Sequence, residues 1–283
     1  GRVIDRFGKG IRTAPRDALI ADSAHAKRRG AAFGLHRTMD TLGACLGVWL
    51  AYLLIVHFKG DYQHVFLFSV IPAFIGVLVL FFVREKKARV QERTEKVSFR
   101  WNALDRRLKL FLVVTFIFTL GNSSNQFLLL RAQKNGNPLA TVILMYLVFN
   151  IVHSIVSYPA SRLSDYVGRK KILVIGYLFY ASVYFGFALT HVSWLYWVLF
   201  AGYGVYMACT EGVEKALVAD IAPSHMRATA IGLHATIVGI GLLPASLLAG
   251  GLWHYGGASA PFYFGGIMGV IASVGLWFVL KGV

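Results

Sequence analysis

The residues best suited to chemistry in this sequence are acidic side chains that stand inside long apolar segments. Glu211 and Glu214 lie in the stretch YGVYMACTEGVEKALVAD, and Asp40 lies in a second apolar stretch. A carboxylate held between desolvation and a nearby arginine can load and release a proton, so all three are candidates for proton coupling. Arg37 precedes Asp40 by three residues, which favours a simple ion pair along one helix for Asp40.

A second set of residues has side-chain amides that suit ligand binding. Asn122, Asn125 and Gln126 follow one another at i, i+3 and i+4 in GNSSNQF, and Asn150 lies in the next apolar segment. On a helix the first three share a face, so they either line a cavity or bind a neighbouring helix. The sequence has no nucleophile–base pair, metal-ligand spacing or phosphate loop, which argues against an enzyme.

Charged residues also recur at helical spacing near the start of the chain. They are Arg2, Asp5, Lys9, Arg12 and Arg16. Their spacings of 3, 4, 3 and 4 place them on one stripe of a helix. We expect this stripe, with Arg12 and Arg16, to line a water-filled cavity. The alternative is an exposed helix end beside the membrane.

The elements that carry these residues are apolar helices of membrane-spanning length. Hydrophobic residues make up 57% of the 283 and charged residues only 15%, which is typical of an all-α polytopic membrane protein. About nine transmembrane helices are predicted: Val3–Asp22, Gly30–Val56, Val65–Val83, Leu110–Leu130, Ala140–Tyr158, Ile172–Leu189, Trp194–Cys209, Ala230–Trp253 and Pro261–Leu280.

The basic residues that give the net charge of +16 are distributed among loops and are not gathered on one surface. Basic residues concentrate in alternate loops, at 27–29, 84–109 and 162–171, while the opposite loops contain few. This is the positive-inside pattern, and it assigns these loops to the cytoplasm. The distribution argues against nucleic acid as a partner.

The chain contains an internal repeat. ALIADSAHAKRRGAAFGLH begins at Ala18, and ALVADIAPSHMRATAIGLH begins at Ala216, 198 residues later and without a gap. Both copies have the same orientation, so we expect parallel halves related by an axis along the membrane normal. His36 and His234 occupy matched positions, where packing or hydrogen bonding is the favoured role for a lone histidine.

The repeat alignment also predicts which charges meet. Arg16 aligns with Glu214 and Asp17 with Lys215, and equivalent helices of parallel repeats face each other at equal depth. We therefore expect Arg16 and Glu214 to be neighbours, with Asp17 and Lys215 nearby. The alternative is that Lys215 pairs with Glu211 along its own helix and Arg16 pairs with an adjacent helix.

The segment SRLSDYVGRKK resembles the loop signature of the major facilitator superfamily. Leu163, Asp165, Gly168, Arg169 and Lys170 fit that signature, whereas Ser161 and Tyr166 depart from it. The resemblance covers the whole chain, as spans four to twelve of a twelve-helix permease. It implies a pseudo-twofold helical bundle in which spans one, four, seven and ten line the central cavity.

The resemblance organises the chain into three parts. Residues 1–83 form the latter half of an N-terminal bundle with three spans, 84–107 a basic cytoplasmic connector, and 108–283 a C-terminal six-helix bundle. Asp165, Gly168, Arg169 and Arg227 are predicted to form a cytoplasmic clasp that stabilises one of two packing states. Gly168 permits the tight turn, and Asp165 can face helix N–H groups or an arginine.

These features predict a secondary transporter that moves a small organic solute by alternating access, with proton-coupled efflux preferred. Uptake of an organic anion or nutrient is the alternative, and a transporter-like membrane solute sensor is an alternative of another class. No cofactor is expected, and the coupling ion is predicted to be H⁺. The expected partners are the lipid bilayer and a small-molecule substrate, for a monomer in a bacterial inner (plasma) membrane.

Overall fold

The computed structural model describes residues 13, 15–58, 62–80 and 104–280, and these residues form helices without a strand. Helix α1 comprises residues 15–23. It is followed by α2 (Arg29–His57), α3 (Tyr62–Leu80), α4 (Arg106–Gly121), α5 (Gln126–Lys134), α6 (Leu139–Val167), α7 (Arg169–Leu189), α8 (Ser193–Ile221), α9 (Arg227–Gly256) and α10 (Ala260–Val279). One compact unit comprises Gly1–Leu42 with Trp101–Val283, and a second comprises Gly43–Arg100.

The helices of the described ranges confirm the all-α prediction. Five segments are long and apolar enough to cross a membrane: Arg106–Lys134, Thr141–Val167, Arg169–Leu189, Ser224–Gly256 and Ala260–Val279. Helix α8 has 29 residues, which gives about 43 Å of helix. Large apolar side chains such as Ile155 and Leu247 are exposed, and exposed apolar surface of this kind marks contact with a membrane or another protein.

The two copies of the repeat adopt the same local structure. In the first copy, α1 leads through a 3₁₀ turn at Ala26–Arg28 into α2 at Arg29. In the second, α8 leads through a 3₁₀ turn at Ser224–Met226 into α9 at Arg227. The turns and helix starts coincide at the sequence offset of 198 residues. The duplication in the sequence is therefore a duplication of structure.

The predicted span Leu110–Leu130 is interrupted. Helix α4 ends at Gly121 and α5 begins at Gln126, with non-helical residues between them. The freed Gly121 carbonyl accepts a hydrogen bond from the Tyr180 hydroxyl at 2.8 Å. Non-helical backbone at membrane depth is stable only where such partners or a polar cavity satisfy it.

Small residues let α2 pack closely against α6. A Cβ added at Gly30 would lie 2.3 Å from the Ser161 carbonyl oxygen, and one at Gly34 would lie 2.6 Å from the Ser161 Cβ. Further along, Thr38 and Ser154 exchange hydrogen bonds with each other's carbonyl oxygens at 3.0 and 3.2 Å. This contact fixes the start of α2 and thereby the position of Arg37.

The second unit contains the later part of α2 and helix α3. Phe58 stacks on His64 with ring centroids 4.4 Å apart, and α3 is apolar along Phe66–Val79. Residues 84–103 of the predicted connector, and residues 3–12 and 14 of the first predicted span, lie outside the described residues. The three-part domain division stays a prediction.

Candidate functional site

A cavity of about 700 Å³ lies within the first unit, in the C-terminal part of the chain. Its walls come from α4, the interruption after α4, α8 and α9. The charged residues that line it are Glu211 and Glu214, and the aromatic ones are Phe118, Tyr203 and Tyr206. The structure thus places both carboxylates of α8 at one cavity, as the sequence predicts.

Glu211 is held by groups from two neighbouring helices. The Arg37 guanidinium of α2 lies 2.5 Å from its Oε2, and the His153 Nε2 of α6 lies 3.4 Å from the same oxygen. Arg37 also lies 3.0 Å from Asp40 Oδ2 on its own helix. One guanidinium therefore serves two carboxylates, and Asp40 forms the ion pair that its spacing predicts.

Glu214 has a different set of neighbours. The Tyr177 hydroxyl of α7 donates a hydrogen bond to its Oε1 at 2.8 Å, and the His234 Nε2 of α9 lies 3.4 Å from its Oε2. Within the described residues, no arginine or lysine lies within ion-pair distance of Glu214. The two carboxylates are one helical turn apart but differ in their counter-charges.

The amide residues only partly follow the sequence prediction. Asn122 and Asn125 line the cavity, where the Asn122 side chain donates to the Tyr206 hydroxyl at 3.0 Å and Asn125 accepts from the Tyr203 hydroxyl at 2.9 Å. They do so from the interruption between helices and not from one helix face. Gln126, the first residue of α5, is exposed and does not line the cavity.

Asn150 is also outside this cavity. Its side-chain amide donates to the Tyr146 carbonyl on its own helix at 2.8 Å. An asparagine whose side chain donates to a carbonyl oxygen of its own helix has a hydrogen-bond partner there, so its presence within an apolar span does not require a ligand. The assignment of Asn150 to the substrate site stays a prediction.

Of the four charged residues that the repeat alignment relates, the structure pairs Asp17 with Lys215 across the repeats. Asp17 is fully buried, with Lys215 Nζ 2.8 Å from its Oδ2 and Arg16 Nη2 3.0 Å from its Oδ1. Arg16 therefore pairs with its own neighbour and not with Glu214, and Lys215 pairs across the repeats and not with Glu211. Neither residue lines the cavity, and Arg12 lies outside the described residues.

The two repeats exchange ion pairs at the end of the bundle that the basic loops mark as cytoplasmic. Arg29 of the first copy lies 2.7 Å from Asp220 of the second, and Arg227 of the second pairs with Asp22 of the first. Each arginine also donates to the alanine carbonyl that precedes the aspartate of its own copy, Ala21 or Ala219. The contacts are reciprocal, as a pseudo-twofold axis requires.

The predicted clasp is completed by the segment between α6 and α7. The Asp165 carboxylate accepts hydrogen bonds from the Gly30 and Ala31 backbone N–H groups at 2.9 and 2.8 Å, where the positive end of α2 favours an anion. Arg169 bridges Asp165 at 2.6 Å and Asp220 at 3.2 Å. Gly168 links the helices with φ of 103°, which favours glycine.

Four partners of the carboxylates are not indicated by the sequence as their neighbours. The spacing links Arg37 to Asp40 alone, and it does not link His153, Tyr177 or His234 to Glu211 or Glu214. The signal for Arg37 and His153 is that each is a polar side chain inside an apolar span. Tyr177 carries no such signal, because tyrosine is common in helix interfaces of this protein. Among the described residues, no cluster of His, Cys, Asp or Glu could hold a metal ion.

The fold agrees with that of similar proteins. The family model described as Major Facilitator Superfamily matches residues 1–134 and 110–282. An uncharacterised MFS-type transporter of Methanocaldococcus jannaschii is 38% identical over 98% of this chain and 70% of its own length. The chain belongs to the major facilitator superfamily. It is therefore a membrane transport protein and not an enzyme.

Two further comparisons report similarity to a protein with a named role and to a solved structure. Multidrug resistance protein 2 of Bacillus subtilis is 35% identical over 48% of the chain and 34% of its own length. The structure of the MFS proton:xylose symporter XylE, bound to 6-bromo-6-deoxy-D-glucose, has a TM-score of 0.74 at 17% identity, covering 94% of this chain and 67% of that one. The latter likeness supports the MFS fold.

Proposed function

We propose that this protein is a proton-coupled exporter of small organic solutes, in which Glu211 and Glu214 exchange protons as the cavity changes sides. The observation that carries the proposal is the presence of two carboxylates at one cavity, each with an imidazole 3.4 Å away. Carboxylates and histidines inside a membrane mark proton paths. Asp40 acts on this site through Arg37, which it shares with Glu211.

The contacts between the repeats support alternating access. The Arg29–Asp220 and Arg227–Asp22 pairs, with the Asp165 cap on α2, hold the cytoplasmic ends together. Opening toward the cytoplasm requires these contacts to break, and closing restores them. Because the contacts join residues of the two repeats, they act on the relative position of the repeats and not on either one alone.

The direction of transport rests on the relatives. Multidrug resistance protein 2 of Bacillus subtilis, by its name, confers resistance, which favours export. The relatives come from an archaeon and a bacterium, so the proposed location is the plasma membrane. The cavity lies within one chain, so a monomer suffices.

Transport by the full-length protein in proteoliposomes tests the proposal. The probes are labelled tetraphenylphosphonium, salicylate and xylose, as a cation, an anion and a neutral solute. With an imposed pH gradient, at least one probe is expected to move against its concentration gradient. Because glutamine cannot carry a proton, Glu211→Gln and Glu214→Gln should each lower this movement by about 100-fold, the scale of losing one proton-transfer group.

Gln126→Asn is the matched control, because Gln126 is an exposed amide outside the cavity. It is expected to transport as the parent protein does. If no probe moves faster than in protein-free vesicles, the transport proposal is wrong. If both glutamine variants still accumulate a probe with the pH gradient, the assignment of the proton sites is wrong.

A further inference from the structure

The cavity has an unbalanced charge that bears on what it binds. Among the described residues, the charged side chains that line it are Glu211 and Glu214, and both are acidic. Arg37 neutralises Glu211 at 2.5 Å. Lys215 follows Glu214 in the chain but is engaged with buried Asp17 at 2.8 Å. Within the described part of the chain, Glu214 is left with a hydroxyl and an imidazole as its partners.

This arrangement makes Glu214 a site that needs a positive partner. Its side chain is only 12% exposed, and an ionised carboxylate with so little water is unfavourable without a counter-charge. A proton can supply that charge, and so can a cationic ligand entering the cavity. Both would occupy the same carboxylate, so they would compete.

The aromatic wall of the cavity suits a cation that also has rings. Phe118, Tyr203 and Tyr206 line it, with the Tyr203 and Tyr206 ring centroids 5.2 Å apart and their planes inclined at 46°. Aromatic faces attract cations and stack on other aromatic rings. The volume of about 700 Å³ is within the range of drug-sized ligands.

The same wall disfavours anions. Within the described residues, neither arginine nor lysine lines the cavity, and an anion beside Glu214 would meet repulsion without a compensating arginine or lysine. The remaining polar wall is uncharged, and the side chains of Asn122 and Asn125 are bonded to Tyr206 and Tyr203. The described wall of the cavity therefore favours a cation over the organic anion of the sequence-based alternative.

We propose that the cavity selects monovalent organic cations that carry aromatic rings, and that Glu214 is the carboxylate that receives the cationic centre. The inference rests on the proposed transport function, but the property it describes and the experiment that tests it concern binding alone. An exchange of one cation for one proton at Glu214 would then link the solute to the proton.

Binding of two ions of the same shape and opposite charge tests this proposal. Labelled tetraphenylphosphonium and tetraphenylborate are titrated onto the full-length protein in nanodiscs, with binding to empty nanodiscs subtracted. We expect the cation to bind at least about tenfold more tightly than the anion. This comparison uses the unmodified protein and does not depend on the folding of a variant.

Variants of Glu214 then locate the charge. Glu214→Gln should weaken tetraphenylphosphonium binding at least about tenfold, while Glu214→Asp, which keeps the charge, should retain most of it. Gln126→Asn serves as the control with unchanged affinity. Equal or tighter binding of tetraphenylborate, absence of specific cation binding, or full affinity in Glu214→Gln would overturn the proposal.

The outcome is separable from that of the transport proposal. Selective cation binding without any pH-driven movement in proteoliposomes refutes the transport function and leaves the binding inference intact. Movement of salicylate or xylose, without cation binding, supports transport and refutes the cation-selective cavity.

Discussion

At the scale of residues, the two carboxylates of α8 differ because of the helices that face them. Glu211 meets Arg37 of α2, whereas Glu214 meets Tyr177 of α7 and His234 of α9. The sequence indicates that both acids are costly in lipid and therefore sheltered. It does not indicate their partners, since each partner lies on another helix and comes close only through tertiary packing.

The pairing of Asp17 with Lys215, and not of Arg16 with Glu214, has a simple geometric cause. Sequence alignment of the repeats fixes the depth of a residue along the axis. Successive residues on a helix point about 100° apart, so only one of two neighbours can face the opposite repeat. The rotation of each helix decides which one does, and the alignment does not contain that rotation.

The two reciprocal ion pairs between the repeats occupy equivalent sequence positions but differ in the exposure of the aspartate and in its number of arginine partners. Asp220 holds both Arg29 at 2.7 Å and Arg169 at 3.2 Å, whereas Asp22 pairs with Arg227 and its side chain is 54% exposed. Asp220→Asn therefore should destabilise the full-length protein by about 3 kcal/mol. Asp22→Asn should cost less than about 1 kcal/mol.

Thermal unfolding in detergent measures this difference. Asp220→Asn is expected to lower the midpoint clearly and Asp22→Asn only slightly, with the repeat providing the matched comparison. A loss for Asp22→Asn as large as that for Asp220→Asn would show that the arginine bridge at Asp220 adds nothing.

At the scale of elements, the interruption between α4 and α5 is the main departure from the predicted helices. An apolar run of membrane-spanning length predicts one continuous helix over Leu110–Leu130. The side chains of asparagine and serine compete for backbone hydrogen bonds and favour turns, and four of them follow Gly121 as Asn122, Ser123, Ser124 and Asn125. This signal was in the sequence. Its consequence is that Asn122 and Asn125 reach the cavity while Gln126 does not.

The crossing of α2 and α6 gives a prediction at this scale. A methyl group at Gly34 would lie 2.6 Å from Ser161 Cβ and 2.8 Å from the Ser157 carbonyl oxygen, so Gly34→Ala must push the helices apart. We expect a loss of roughly 1–3 kcal/mol, as for other overpacked sites. Gly250→Ala is the control, because a Cβ at Gly250 has no neighbour within 4 Å among the described residues.

Both variants are compared with the parent protein by thermal unfolding. Alanine favours a helix over glycine, so Gly250→Ala is expected to leave the midpoint unchanged or to raise it. If Gly34→Ala behaves like Gly250→Ala, the close approach of α2 and α6 does not limit stability.

At the scale of the molecule, the repeat made the fold predictable. Identical helix starts, 3₁₀ turns and Arg–Asp exchanges appear in both copies, and the family assignment agrees with the resemblance of SRLSDYVGRKK. The cavity could not be predicted from the sequence, because its walls come from three separate stretches of chain. The sequence also predicts that Arg16 lines the cavity, whereas the structure engages Arg16 with Asp17.

In the proposed function, solute and proton move in opposite directions through the site at Glu211 and Glu214. The most direct measurement loads proteoliposomes with whichever probe the full-length protein transports, without a pH gradient, and follows the internal pH with a trapped dye. Outward movement of the probe should acidify the interior, and Glu214→Gln should abolish this change. Alkalinisation of the interior, or probe movement without any pH change, would contradict the account.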